Sequence, residues 1–173
     1  MKPREIQIIG SNLSACVGWT WPVVVLQALR SKNALFGKSH WSKAQGSESQ
    51  FVKRISLAPA LYMELTQRLG RDKAFQAVEQ ILVPIGCAEQ WDHLNAIDVT
   101  GRSPMERLRA FNDRMDRNGG PRFNRREVVR QDDEMCHFVI TRCVFNDFFT
   151  EAGTPELTKL FCEVDRRFFP EAF

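Results

Sequence analysis

The feature that most constrains this chain is a helical periodicity running from Ala58 almost to its end. Leu61, Leu65 and Leu69 recur every four residues. Pro59 can open that helix, and Gly70 sits where a C-terminal glycine belongs. Asp72 can cap a second helix with Phe75, Val78, Ile81, Leu82 and Ile85 on one face. Pro84 is expected to kink or end it, because proline removes a backbone donor; Ala88, Trp91 and Leu94 continue the face beyond. Ser103-Pro104-Met105-Glu106 reads as a capping box opening a helix with Leu108, Phe111 and Met115, stopped by Gly119-Gly120-Pro121. Val144, Phe145, Phe148, Phe149 and Ala152 share a face up to Gly153. Thr154-Pro155-Glu156 then starts a last helix, whose stripe is Leu157, Leu160, Phe161, Val164 and Phe168.

Strand signals are few. Met135 to Arg142 is rich in β-branched and aromatic residues and reads as a strand. Ile6 to Ile9 reads as a short strand. Trp21 to Leu29 is either a helix entered at Pro22 or a buried strand through Val23-Val24-Val25. Gly37 to Gln50, rich in Ser, Lys and Gly, reads as a loop. The expected fold is α+β and predominantly helical, with helices packed around a small sheet and a C-terminal helical hairpin. Residues 1–50 form an N-terminal segment with an irregular connection, and 51–173 form the main domain. A lone strand needs a partner; Ile6 to Ile9, another subunit, or chain beyond Phe173 are the candidates.

Composition narrows the function classes. The 173 residues are one domain's worth of chain, large enough to fold without disulfides or metal. Thirteen Phe against one Tyr puts much of the core on aromatic burial without a phenol handle. A net charge of +3 is too small to imply a nucleic-acid partner. Five scattered cysteines, an odd number without a C-x-x-C pair, point to a reducing cytoplasm. Leu13 to Leu29 is the most apolar stretch, but it falls short of a bilayer span and lacks a cleavage site, so a soluble, buried segment and no membrane partner are expected. From Arg102 to Arg130 nine arginines face four acids. They read as a solvated face laced with ion pairs, or as a clamp for a substrate carboxylate.

The chemistry concentrates in the last two helices. Cys143, Asn146, Asp147 and Thr150 fall at i, i+3, i+4 and i+7, opposite the phenylalanines. Thr158, Cys162 and Asp165 align the same way on the next helix, and the short connection favours a packed pair. Each helix therefore presents a thiol followed one turn on by an amide or carboxylate. Taken singly, each cysteine behaves as a small buried hydrophobe; the doubled pattern is what suggests a site. His137 follows Cys136 in the expected strand, where a histidine is equally a structural residue.

The segment from Thr141 to Phe169 resembles the signature of the L-2-amino-thiazoline-4-carboxylic acid hydrolase family. The matching features are Cys143 with its aromatic neighbours, the Gly153-x-Pro155-Glu156-Leu157 turn, and Phe161-Cys162 followed by Asp165. The resemblance implies hydrolysis of a carbon–nitrogen bond in a small cyclic amidine, makes 51–173 a hydrolase-like domain, and makes a small molecule the expected partner. It implies catalytic roles for Cys143, Cys162, Asp165 and Asn146, and substrate contacts from Arg142, Glu156 and His137. In a covalent version one cysteine attacks the amidine carbon and Asp165 steadies the cation. In a metal version Cys143, Cys162, Asp165 and His137 hold a divalent ion. The ligand spacing is not compact, so no metal site and no cofactor are expected. A non-catalytic ligand-binding or assembly protein of the same fold, or a homo-oligomer, is the competing reading.

Overall fold

A computed structural model describes residues 2–43, 46–117 and 124–173. The elements in order are α1 (Pro3–Val17), α2 (Trp21–Lys38), α3 (Ser47–Ile55), α4 (Leu57–Leu69), α5 (Arg71–Asn95), α6 (Pro104–Arg117), β1 (Arg125–Gln131), β2 (Cys136–Arg142), α7 (Val144–Glu151) and α8 (Thr158–Ala172). Short 3-10 turns occupy Gly18–Thr20, His40–Lys43 and Pro155–Leu157. The α+β, predominantly helical class and the closing helical pair are both present.

The core is built around α5, which packs against α1, α4 and α8. Its Ala74, Ala77, Val78, Ile81 and Val83 are buried, with Leu61 and Leu65 of α4 and Leu160 and Val164 of α8 around them. Pro84 does not end α5, which runs unbroken to Asn95. Proline inside a helix costs about 3 kcal/mol; here the surrounding burial outweighs it. Two residues on, Gly86 lets α8 come in close. A Cβ there would lie 2.5 Å from Val164 Cγ2. Phenylalanine fills the far end: Phe168 meets Trp91 at 5.2 Å and Phe111 at 5.4 Å between ring centroids, with Leu94 and Ala172 buried beside them.

Three expectations need correction. Ile6 to Ile9 is helical, inside α1, because Pro3 starts the helix and Glu5 accepts the Lys2 N–H at 3.0 Å, while Ile9 and Leu13 bury one turn apart. The partner of β2 is instead β1, antiparallel, with Glu127 opposite Val139 and Val128 opposite Phe138. Its Arg-Arg-Glu-Val-Val-Arg-Gln sequence hides the strand inside the arginine-rich window. An Asp132 turn closes the hairpin, its Oδ1 accepting the Glu134 and Met135 N–H groups at 2.9 Å each. This small sheet lies at the edge, with no residue of either strand fully buried. Finally, Leu13 to Leu29 buries only its inner face, through Leu13, Val24 and Ala28.

Other expectations are met in full or in part. Trp21 to Leu29 is helical with Pro22 in the first turn. Ser103 and Glu106 form the reciprocal capping box, at 2.7 and 3.3 Å. The cap of α5 is Gly70 rather than Asp72, which sits in the first turn. The Gly37 to Gln50 stretch holds a 3-10 turn anchored by buried Trp41, and α3 starts at Ser47. The Gly119-Gly120-Pro121 stop lies outside the described residues.

Because α8 seats against Gly86 with no space to spare, Gly86→Ala is expected to destabilise the fold by about 1–3 kcal/mol. The readout is the urea midpoint, at unchanged slope. Adding Val164→Ala should recover part of the loss; a wild-type midpoint for Gly86→Ala alone would contradict the packing.

Candidate active site

The two helices that carry Cys143 and Cys162 are folded onto each other by a defined turn. Gly153, at φ 76°, ends α7. Thr154 N–H bonds Phe149 O at 2.7 Å, and Gly153 N–H bonds Thr150 O at 3.0 Å, the pairing of a Schellman cap. The 3-10 turn Pro155–Leu157 then feeds α8. Across the pair, Phe145 stacks on Phe161 with centroids 4.1 Å apart. Those rings sit two residues from Cys143 and one from Cys162. Cys143 is not inside the helix: it is the N-cap of α7, in extended backbone, and its carbonyl accepts the Asp147 N–H at 3.0 Å. Asn124 Oδ1 takes the Val144 N–H at 2.9 Å, which fixes where β2 hands over to α7.

Cys143 is half-buried and Cys162 is exposed. Burial pushes the Cys162 thiol up, and the nearby Cys143 and Asp165 push it further. The same acid acts on a third thiol. Cys87, whose Sγ faces Val164 O at 3.8 Å, is raised by burial and by Glu171 and Asp165, against an opposing pull from Arg167. Asp165 is exposed on α8. Desolvation lifts its carboxyl to about 6, and no cation among the described residues offsets it. Cys162 and Asp165 therefore form a patch of sulfur and acid with no cation among the described residues acting on either, Arg167 acting on Cys87 alone of the three.

Asn146 lies exposed on α7 near this patch in sequence, one turn after Cys143. The other expected residues are placed differently. His137 is exposed on β2 opposite Arg130, and five strand residues separate it from Cys143, ~20 Å of chain. It cannot join the thiols around one ion, and among the described residues no group of three or more His, Cys, Asp or Glu side chains is arranged to hold a metal. Arg142 is engaged within the fold, donating Nε to Asp147 at 3.1 Å and Nη2 to Glu48 at 3.3 Å. Glu156 accepts from Tyr62 Oη at 2.8 Å and from Arg71 Nε and Nη2 at 3.0 and 2.8 Å, all on Oε1. Burial works against that carboxylate, but its own N–H, Tyr62 and Arg71 hold it below the usual range.

Cys87, Asn124 and the Tyr62–Arg71–Glu156 cluster carry no obvious motif. The one available signal was Tyr62 itself, the single phenol in a chain with thirteen Phe; its hydroxyl is spent on Glu156. Three arginines of the stretch follow the ion-pair reading: Arg109 meets Asp133 at 2.8 Å, Arg126 meets Asp116 at 3.0 Å, and Arg130 pairs with Asp132. Arg102, Arg107, Arg114, Arg117 and Arg125 have no ion pair among the described residues. The best-formed cleft, about 170 Å³, lies between α6 and the β-hairpin and is lined by Arg109, Asp113, Asp116, Arg126 and Phe138, among others. Cys136 also lines it, but Cys143 and Cys162 do not.

The model of the family described as L-2-amino-thiazoline-4-carboxylic acid hydrolase matches residues 49–172. That span runs from α3 through α8 and contains Cys87, Cys143, Cys162 and Asp165. No curated protein and no solved structure gives a match.

The raised Asp165 carboxyl has a stability consequence with a definite sign. The folded state holds this proton up to about 6, whereas an unfolded aspartate releases it near ~3.9. Its contribution is therefore fully present below about pH 4 and lost as pH rises through about 6. Asp165→Asn should be more stable than the parent at pH 7–8, by on the order of 1 kcal/mol once solvent screening is allowed for. The two proteins should converge below pH 4. Equal midpoints in urea across pH 4–8 would show that the carboxyl is not desolvated.

Proposed function

The chain belongs to the L-2-amino-thiazoline-4-carboxylic acid hydrolase family, and from that premise we propose that it hydrolyses a carbon–nitrogen bond of a small cyclic amidine. The observation that carries the reading is the Cys162–Asp165 pair, with Cys143 beside it, in surroundings without a cation. An amidine is a base and arrives as an amidinium. Its positive charge supplies what the patch lacks, and it draws both the thiol and the carboxyl down toward their ionised forms. The substrate thus activates its own nucleophile.

The proposed sequence balances as follows. Asp165 takes the Cys162 proton as Sγ bonds to the amidine carbon, and the carbon–nitrogen π electrons move onto the ring nitrogen. Asp165 returns the proton to that nitrogen, the ring carbon–nitrogen bond breaks, and the nitrogen leaves as an amine. Water then adds to the same carbon, giving up a proton to Asp165. Collapse expels the Cys162 thiolate, which takes that proton back, while the second proton of the water passes to the released amine and the water oxygen remains as the new carbonyl. A carboxyl near 6 can both accept and return a proton near neutrality. Asn146 is assigned a hydrogen bond to the amidine, and Cys143 the support of Cys162 across the helix pair. The five free cysteines favour a reducing, cytoplasmic setting.

The raised thiols also favour a second reading, a ligand-binding protein without turnover. Activity separates the two. With 2-aminothiazoline-4-carboxylate as probe, Cys162→Ala should lower turnover by at least about 10³-fold. Cys143→Ala should lower it by about tenfold, with circular dichroism unchanged in both. Normal turnover in both folded variants would remove the thiol mechanism. No turnover in the parent, together with saturable binding of the probe, would favour the second reading.

A further inference from the structure

From Ile6 to Leu29 the chain runs 24 residues without an Asp, Glu, Lys, Arg or His. The helical stretch Pro3–Lys38 reaches a mean hydropathy of 1.3 over its most apolar 18 residues, yet only 17% of that window is buried. A core helix of equal hydropathy would be mostly hidden. Gly18, at φ 64°, separates α1 from α2. The chain turns back there, and Trp21 places its ring within 3.6 Å of where a Gly10 Cβ would be. Ile9, Leu13, Val24 and Ala28 bury the inner faces of the two helices, α1 packing on α5 and α2 on α4.

The outer face is apolar and open. Trp19 is 87% exposed in the turn, and Val23, Leu26 and Leu29 follow it at i+4, i+7 and i+10, each more than 40% exposed. This stripe is ~15 Å long. Charge is divided unevenly about it. Residues 1–43 hold six basic side chains against one acid, a net of +5, while the remaining chain holds eighteen against twenty, a net of −2. Lys2 and Arg4 pair with Asp92; Arg30 and Lys38 are exposed where α2 leaves its apolar section.

We infer that the outer face of α1 and α2 docks on an anionic lipid bilayer, lying in the interface with Trp19 as its anchor. By length and composition alone Pro3–Lys38 could cross a membrane, contrary to the expectation from the sequence, but Gly18 divides it and the core occupies its inner face, so the helices lie on the membrane rather than span it. A tryptophan in the turn suits the headgroup level, and the local positive charge suits an anionic leaflet. This departs from the sequence-based expectation of no membrane partner. It is independent of the proposed reaction, since residues 3–38 precede the matched span 49–172.

Flotation of the intact chain with phosphatidylcholine vesicles, with and without roughly one-third phosphatidylserine, tests this. The chain should float with the anionic vesicles, less so as salt rises. A Trp19→Ser/Leu26→Ser double variant should lose at least about tenfold in partitioning, with thermal midpoint and sedimentation coefficient unchanged. Absence of flotation, undiminished flotation of the variant, or equal binding to neutral vesicles would each overturn the inference. So would a dimer of the parent that the two substitutions dissociate, because the face would then be covered by a second copy.

Discussion

The close approach of α8 to α5 at Gly86 governs the rest of this structure. Val164 occupies the space a side chain at position 86 would need, and on either side of Val164 lie the groups that matter: Cys162 two residues before it and Asp165 next to it. The same contact brings Cys87 against the Val164 carbonyl. Packing and electrostatics are therefore one problem here. Seating α8 against α5 also removes water from around its acid, and that desolvation, with no offsetting cation, moves the Asp165 proton toward neutrality.

That arrangement favours one kind of ligand. A thiol is most often activated by a neighbouring cation, but the arginines closest in sequence are committed elsewhere: Arg142 to Glu48 and Asp147, Arg166 to Glu163. In the proposed reaction such a site becomes reactive when positive charge arrives with the substrate. Amidinium chemistry fits that requirement, and the open face of Cys162 leaves room for approach.

Much of the helical architecture was legible because capping residues and apolar spacing agreed. The Ser103–Glu106 box, the Gly70 and Gly153 helix ends, and the stripe from Leu157 to Phe168 are local signals, and local physics decides them. What failed depended on distant neighbours. Pro84 allows either an end or a continuation of the helix, and only the packing of α8 and α4 on it decides for continuation. Ile6 to Ile9 alternates like a strand, and only Pro3, Glu5 and the burial of Ile9 with Leu13 make it helical. The β1 strand was concealed by its arginines. For the site, the spacing of Cys143 and Cys162 suggested their association, but the engagement of Glu156 by Tyr62 and Arg71 spans 94 and 85 residues of chain, and no motif announces it.

If Cys143, Cys162 and Asp165 form one electrostatic unit, the pH dependence of Cys162 alkylation by iodoacetamide, followed by mass spectrometry, must change in Asp165→Asn and in Cys143→Ala. The expected Cys162 midpoint lies above the ~8.5 of a free thiol in the parent protein and falls in both variants. Superimposable profiles in all three proteins would show that the three groups do not sense one another.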